Sequence, residues 1–154
     1  MKNTTLCYIE KDGKYLMLHR VKKKNDENQG KYIGIGGHFL ENESPFECIV
    51  REAKEETGLT LLKPEYRGIV TFVSNIYETE QMHLFTCKLF EGKLTSCSEG
   101  NLEWIDKKSL DNIPMWQGDK IFLSRLDGSQ DFFNLKLVYE DDRLIEAYMN
   151  NEKI

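Results

Sequence analysis

The chain has 154 residues, 40% apolar and 31% charged, which is one domain's worth of sequence with enough apolar content for a core and too balanced a charge for a disordered chain. Its 21 basic and 26 acidic residues give a formal net charge of -5. That balance argues against a nucleic-acid polymer as the main partner, because such binding rests on basic groups against phosphate, but allows a small anionic ligand where a metal ion supplies positive charge. The longest stretch free of Asp, Glu, Lys and Arg runs from Gly68 to Tyr77, about half of the ~20 residues of a membrane-spanning helix, so no contact with a membrane is expected. The N-terminal residues lead straight into an apolar and charged pattern with no long apolar signal core. A single cytoplasmic domain over residues 1–154 is expected, its oligomeric state unknown. Cys7, Cys48, Cys87 and Cys97 form no C-x-x-C pair and read as ordinary reduced thiols.

In chain order, Thr5 to Ile9 and Tyr15 to Leu18 are short apolar runs separated by Lys11-Asp12-Gly13-Lys14, a hairpin pattern. Lys22 to Gly30 is polar and ends in Gly, as a solvated loop does. It places Lys23 near whatever follows. Tyr32 to Leu40 reads as a strand broken by three glycines, where the chain bends or another group approaches the backbone. Ser44-Pro45-Phe46-Glu47 is a helix start with Ser as N-cap, Pro at N1 and Glu at N3. That helix is expected to end near Thr57, with Gly58 as its left-handed cap. Tyr66 to Tyr77, Gln81 to Phe90 and Asn101 to Ile105 read as strands, Asp119 to Leu126 as a short second helix, and Asp131 to Glu140 with Arg143 to Asn150 as a terminal hairpin. His19 and His83 fall in strand patterns and read as structural. Strands outnumber helices, so the fold class is α+β with a mixed sheet.

The first helix carries the chemistry. At 100° per residue, with Glu52 at 0°, Glu55 falls at about -60° and Glu56 at about +40°, so three carboxylates share an arc of roughly 100°. Phe46, Ile49, Val50, Ala53 and Thr57 occupy the neighbouring arc and are expected to face the core. Glu52 and Glu56 repel as an i,i+4 pair, an effect that Arg51 offsets by pairing with Glu55. A solvated acidic face explains such spacing. So does a site for a hard cation, since Mg²⁺ takes oxygen ligands, usually one or two carboxylates together with substrate phosphates, and a glycine-rich bend lies close by.

Gly37, Glu43 and then Arg51-Glu52-Ala53-Lys54-Glu55-Glu56-Thr57-Gly58-Leu59 match the Nudix box, G-x5-E-x7-REUxEExGU, with both spacings intact and only Ala53 smaller than the usual aliphatic residue. The chain therefore resembles a Nudix hydrolase. The resemblance implies an α/β/α sandwich and hydrolysis of a nucleoside diphosphate linked to another group, with Mg²⁺ or Mn²⁺ as cofactor. It implies that Glu52, Glu55 and Glu56 hold metal, that Gly36 offers a backbone carbonyl, that Arg51 orients Glu52 and that Glu43 supports them. Family members often recruit a further Glu from a later loop as general base. Glu99 is the best match and Glu103 the runner-up, against a plain exposed loop acid.

Trp116-Gln117-Gly118-Asp119 is similar to the Trp-x-x-Asp element by which MutT-like members hold an oxidised purine. An indole offers a stacking plane and a carboxyl group can face a base edge; as alternatives, Trp116 is a core or lid aromatic and Asp119 a helix N-cap. Ile33 stands where that branch carries a base-binding Asn, and its side chain offers no hydrogen bond. His38 follows the double glycine and either contacts phosphate or faces solvent. The expected activity is hydrolysis of a nucleoside triphosphate to monophosphate and pyrophosphate, extending to nucleotides such as 8-oxo-dGTP. The rival substrates are ADP-ribose and dinucleoside polyphosphates, and the rival class is a non-catalytic binding module, whose expected sign, lost box acids, is not met here.

Overall fold

The computed structural model describes residues 1–128 and 130–154. The first hairpin joins β1 (Lys2–Lys11) to β2 (Lys14–His19). Its Asp12 and Gly13 lie at φ 52° and 74°, as a tight two-residue turn requires. β1 extends beyond its apolar run because it pairs in parallel with β6 (Glu80–Cys87), from Lys2↔Glu80 to Ile9↔Cys87. On its other edge β6 meets β5 (Glu65–Ser74), which runs parallel to β9 (Phe133–Glu140); β10 (Arg143–Met149) and β11 (Glu152–Lys153) complete that limb. At the opposite side β2 pairs with β8 (Asn101–Asp106) along its length and with β3 (Tyr32–Ile33) at its end. A small ladder of β4 (Thr60–Leu61) and β7 (Phe90–Glu91) stands apart.

Alternation along the central strands builds two cores. Cys7, Ile9, Leu16 and Leu18 face α1 (Pro45–Thr57), packing with Ile49 and Ala53, while Tyr8, Tyr15 and Met17 pack with Phe122, Leu123 and Leu126 of α2 (Gln117–Gly128). Burial on both faces of the strands makes this an α/β/α sandwich around a mixed sheet. α2 is pinned at both ends. The Gly118 amide donates to the Tyr139 hydroxyl at 2.7 Å, and Arg67 Nη2 donates to the Leu126 carbonyl at 3.1 Å.

The glycine-broken segment differs from its expected strand form. Only Tyr32–Ile33 is regular; the chain then leaves β2 and runs beside β1 through Ile35 and His38, which bridge Cys7 and Thr4. A Cβ on Gly36 would lie 1.9 Å from the Thr5 carbonyl oxygen, so the close approach that the glycines announce is that of β1 itself. α1 starts with the complete capping box and ends at Gly58, φ 82°. Phe46 departs from the expected core stripe: it is 44% exposed, because the first turn overhangs the sheet, where the ring meets Tyr66 and Phe85 edge-on. α2 begins at Gln117, so Asp119 lies inside its first turn and is not its N-cap. Among the described residues no helix is long and apolar enough to cross a membrane.

Candidate active site

The box assembles where α1 passes the glycine bend. A Cβ on Gly37 would lie 2.5–2.6 Å from the Glu52 carboxyl group, so glycine is what lets that carboxylate rest against the bend. Arg51 organises the acids around it. Its Nε and Nη2 donate to the two Glu43 oxygens at 2.6 and 2.9 Å, Nη1 donates to Glu52 at 2.9 Å and to Glu55 at 3.2 Å, and Nη2 also reaches the His38 carbonyl at 3.0 Å. Glu43 further accepts from the Leu40 amide, and the Arg51 and Leu40 bonds hold its pKa down at about 2. Arg51 is held the more firmly protonated by the same partners.

Glu56 turns inward and accepts from the Gly36 amide at 2.9 Å. Burial pushes its pKa up to about 8, against the lowering effect of that amide, and Glu52 and Glu99 add to the rise. At neutral pH this carboxyl group takes up a proton unless another cation is supplied. Glu55 is 60% exposed. Glu52 and Glu56 thus rest against the bend, while Glu55 is joined to them through Arg51, and the three do not converge as ligands. Among the described residues no three carboxylate, imidazole or thiol groups are gathered closely enough to hold an ion as they stand.

Glu99 sits in the loop before β8, its Oε2 3.6 Å from Arg20 Nη1. Glu103 is on β8, accepting from the Tyr32 hydroxyl at 3.3 Å and lying 3.7 Å from His19 Nδ1, so it is engaged away from the box. His38 and Lys23 are both exposed. His38 contributes its backbone carbonyl to Arg51, as described.

Trp116 and Asp119 come together at the start of α2, where the Asp119 amide donates to the Trp116 carbonyl at 3.0 Å. The indole is 8% exposed, edge-on to Phe72 and Tyr139, with its N–H donating to Asn28 Oδ1 at 2.7 Å and the Lys31 ammonium 4.6 Å from the ring centroid. It is a core aromatic with one end at a polar site. Asp119 is 7% exposed, and burial pushes its pKa up to about 8, opposed by Lys31. Nearby the Tyr8 hydroxyl is buried with no hydrogen-bond partner among the described residues. Ile33 packs on the α1-side core, and Tyr32 on the side of Trp116.

Tyr8, Asn28 and Lys31 carry no functional signal in the sequence. Tyr8 is hidden in a hydrophobic run, where only alternation along β1 could have placed it on the α2 side. Asn28 and Lys31 lie in or beside a loop whose composition signals nothing but solvation.

The chain's residues 2–126 match the model of the NUDIX domain. It is 27% identical over 153 residues to the Bacillus subtilis (strain 168) protein called "Uncharacterized Nudix hydrolase YvcI", covering 96% of this chain and 93% of that one. It is 32% identical over 123 residues to an oxidized purine nucleoside triphosphate hydrolase of Danio rerio, covering 77% and 74%. Among solved structures, the MutT protein of Bacillus halodurans superposes over 99% of both chains with a TM-score of 0.88 and 26% identity. Box geometry, domain match and full-length likeness agree: the chain belongs to the Nudix family, as a MutT-type hydrolase acting on phosphoric anhydride bonds.

Proposed function

We propose that the protein is a Mg²⁺- or Mn²⁺-dependent nucleoside triphosphate pyrophosphohydrolase that releases a nucleoside monophosphate and pyrophosphate, and that oxidised purine nucleotides such as 8-oxo-dGTP are among its substrates. The observation that carries this reading is the buried Asp119 carboxyl group beside Trp116. With its pKa near 8 it keeps its proton at neutral pH, so it can both donate to and accept from a base edge. A base stacked on the indole takes the place of Lys31. The name of the Danio rerio relative supports the same substrate class.

The oxygen-only donor set of Glu52, Glu55, Glu56 and the Gly36 carbonyl suits a hard divalent cation, and the glycine cradle against which Glu52 rests suits a tightly built site. Uptake of the ion requires Glu52 and Glu55 to give up part of their contact with Arg51 and Glu56 to stay ionised. When bound, the ion neutralises the polyphosphate and lowers the pKa of an attacking water. Arg51, braced by Glu43, orients Glu52. Glu99, whose carboxylate pairs with Arg20, accepts the proton of the attacking water. His38, exposed beside the box, is a candidate for contact with phosphate, and Lys23, exposed in the β2–β3 loop, is a weaker ligand candidate.

The terminal hairpin extends the same sheet, which supports one functional unit over 1–154. All four thiols are buried and unpaired, the state a reducing cytoplasm maintains. A panel of nucleotides incubated with enzyme and Mg²⁺, with both products identified, tests the proposal. Monophosphate and pyrophosphate are the expected products. Ribose 5-phosphate and AMP released from ADP-ribose, with triphosphates untouched, would overturn the proposal in favour of another nucleoside diphosphate-linked substrate.

A further inference from the structure

The loop between β2 and β3 joins two parts of the site that lie far apart in sequence. Arg20 Nε is 2.7 Å from Asp26 Oδ2, and Arg20 Nη1 is 3.6 Å from Glu99 Oε2. The other Asp26 oxygen accepts from the Asn28 amide at 3.2 Å, and Asn28 Oδ1 in turn holds the Trp116 indole at 2.7 Å. The loop is closed on itself, with the Gly30 amide on the Arg20 carbonyl and the Arg20 amide on the Lys31 carbonyl, and the Lys22 amide reaches the Glu99 carbonyl at 3.3 Å. The Arg20 and Asp26 side chains are only 11% and 5% exposed. A buried ion pair is weak evidence of a gain in stability, since desolvation offsets much of the attraction. What such a pair does supply is a fixed geometry, and here that geometry ends on Glu99.

We propose that Arg20 and Asp26 are positioning residues for Glu99, and that Asn28 ties them to Trp116, so that one loop sets both the nucleobase wall and the proton acceptor. The inference rests on the reading of Glu99 as general base. Arg20 holds the Glu99 carboxylate on the box side of its loop, and Asp26 stops the guanidinium from turning away. Asn28 holds Asp26 by its backbone and the indole by its side chain, so a base seated on Trp116 bears on the loop that carries Arg20.

The test uses the full chain with Mg²⁺ and whichever nucleotide the wild type turns over fastest, so that a wild type inert towards triphosphates unseats the substrate reading alone. Glu99→Gln lowers kcat about 100-fold or more. Arg20→Gln lowers kcat about tenfold with KM little changed, and Arg20→Lys recovers part of the loss. In the double variant the Arg20 change adds nothing to the loss from Glu99→Gln, as expected of residues acting through one another. Asn28→Ala gives a smaller loss in kcat that disappears in the Arg20→Gln background. Thermal melts identify any variant that does not fold; if Arg20→Gln is one, Arg20→Lys and Asn28→Ala, each combined with Glu99→Gln, carry the cycle. Wild-type turnover in Glu99→Gln, losses that multiply in the double variant, or an Arg20→Gln enzyme altered only in KM would each overturn the proposal.

Discussion

Replacing Asp119 with Asn should stabilise the fold increasingly as pH rises. The side chain is 7% exposed, and burial raises its pKa from 3.8 to about 8. A carboxyl group whose folded pKa lies above its unfolded value contributes most to stability below pH 3.8, and that contribution is lost as pH climbs through 8. At about 1.4 kcal/mol per tenfold change, ionising Asp119 in place costs the folded state about 6 kcal/mol in full. Roughly 4 kcal/mol of that falls between pH 5 and 9, less whatever local relaxation recovers. Asn keeps the shape and the donor and loses the titration. The assay is denaturant unfolding of wild type and Asp119→Asn from pH 5 to 9 in chelator-containing buffer. Glu56, whose pKa is also near 8, titrates in both proteins and cancels in the difference. The two should be close at pH 5, with the variant ahead by about 2–4 kcal/mol at pH 9. A difference that does not change with pH would show that Asp119 is hydrated or paired in solution, and would remove the physical basis for its proton at neutral pH.

Glu55→Gln and Glu56→Gln should each lower Mg²⁺-dependent turnover by orders of magnitude, while melts in chelator show stability unchanged or raised, because Glu55 sits among like charges and Glu56 is a buried acid that is costly to ionise; two unfolded variants would make the acids structural. Trp116→Ala removes a stacking plane worth about 1–3 kcal/mol per base and should raise KM for purine triphosphates more than it lowers kcat, with a lower melting temperature from the lost packing on Phe72 and Tyr139. The ratio of kcat/KM between 8-oxo-dGTP and dGTP should be about 10 to 100 in the wild type and should shrink in Asp119→Ala; equal values for the two nucleotides in the wild type would count against the oxidised-purine assignment. Gly37→Ala places a methyl group within 2.6 Å of the Glu52 carboxyl and should lower kcat at saturating Mg²⁺ with the fold intact by circular dichroism.

What could be read from the sequence follows the range of the interactions involved. The capping box of α1, its Gly58 end and the face shared by Glu52, Glu55 and Glu56 depend on residues within a few positions of each other, and helical spacing carries them. The terminal hairpin across Asp141-Asp142 is local in the same way, with Asp141 at φ 57°. The fate of residues 32–40 is not local. Their glycines announce a close approach, yet whether the neighbour is β2, β1 or a ligand depends on the parallel pairing of β1 with β6, which no short window contains.

Asp119 shows the limit most clearly. An Asp near a helix start ordinarily caps it, because an exposed carboxylate accepts from free backbone amides. Here the helix begins two residues earlier, so the amides that a cap at Asp119 would accept from bond to carbonyls inside the helix. The Asp119 carboxyl group lies buried instead, where it is costly to ionise. That burial comes from packing that no short window of sequence contains, and the local pattern that marks Asp119 as a cap is silent about the proton it keeps.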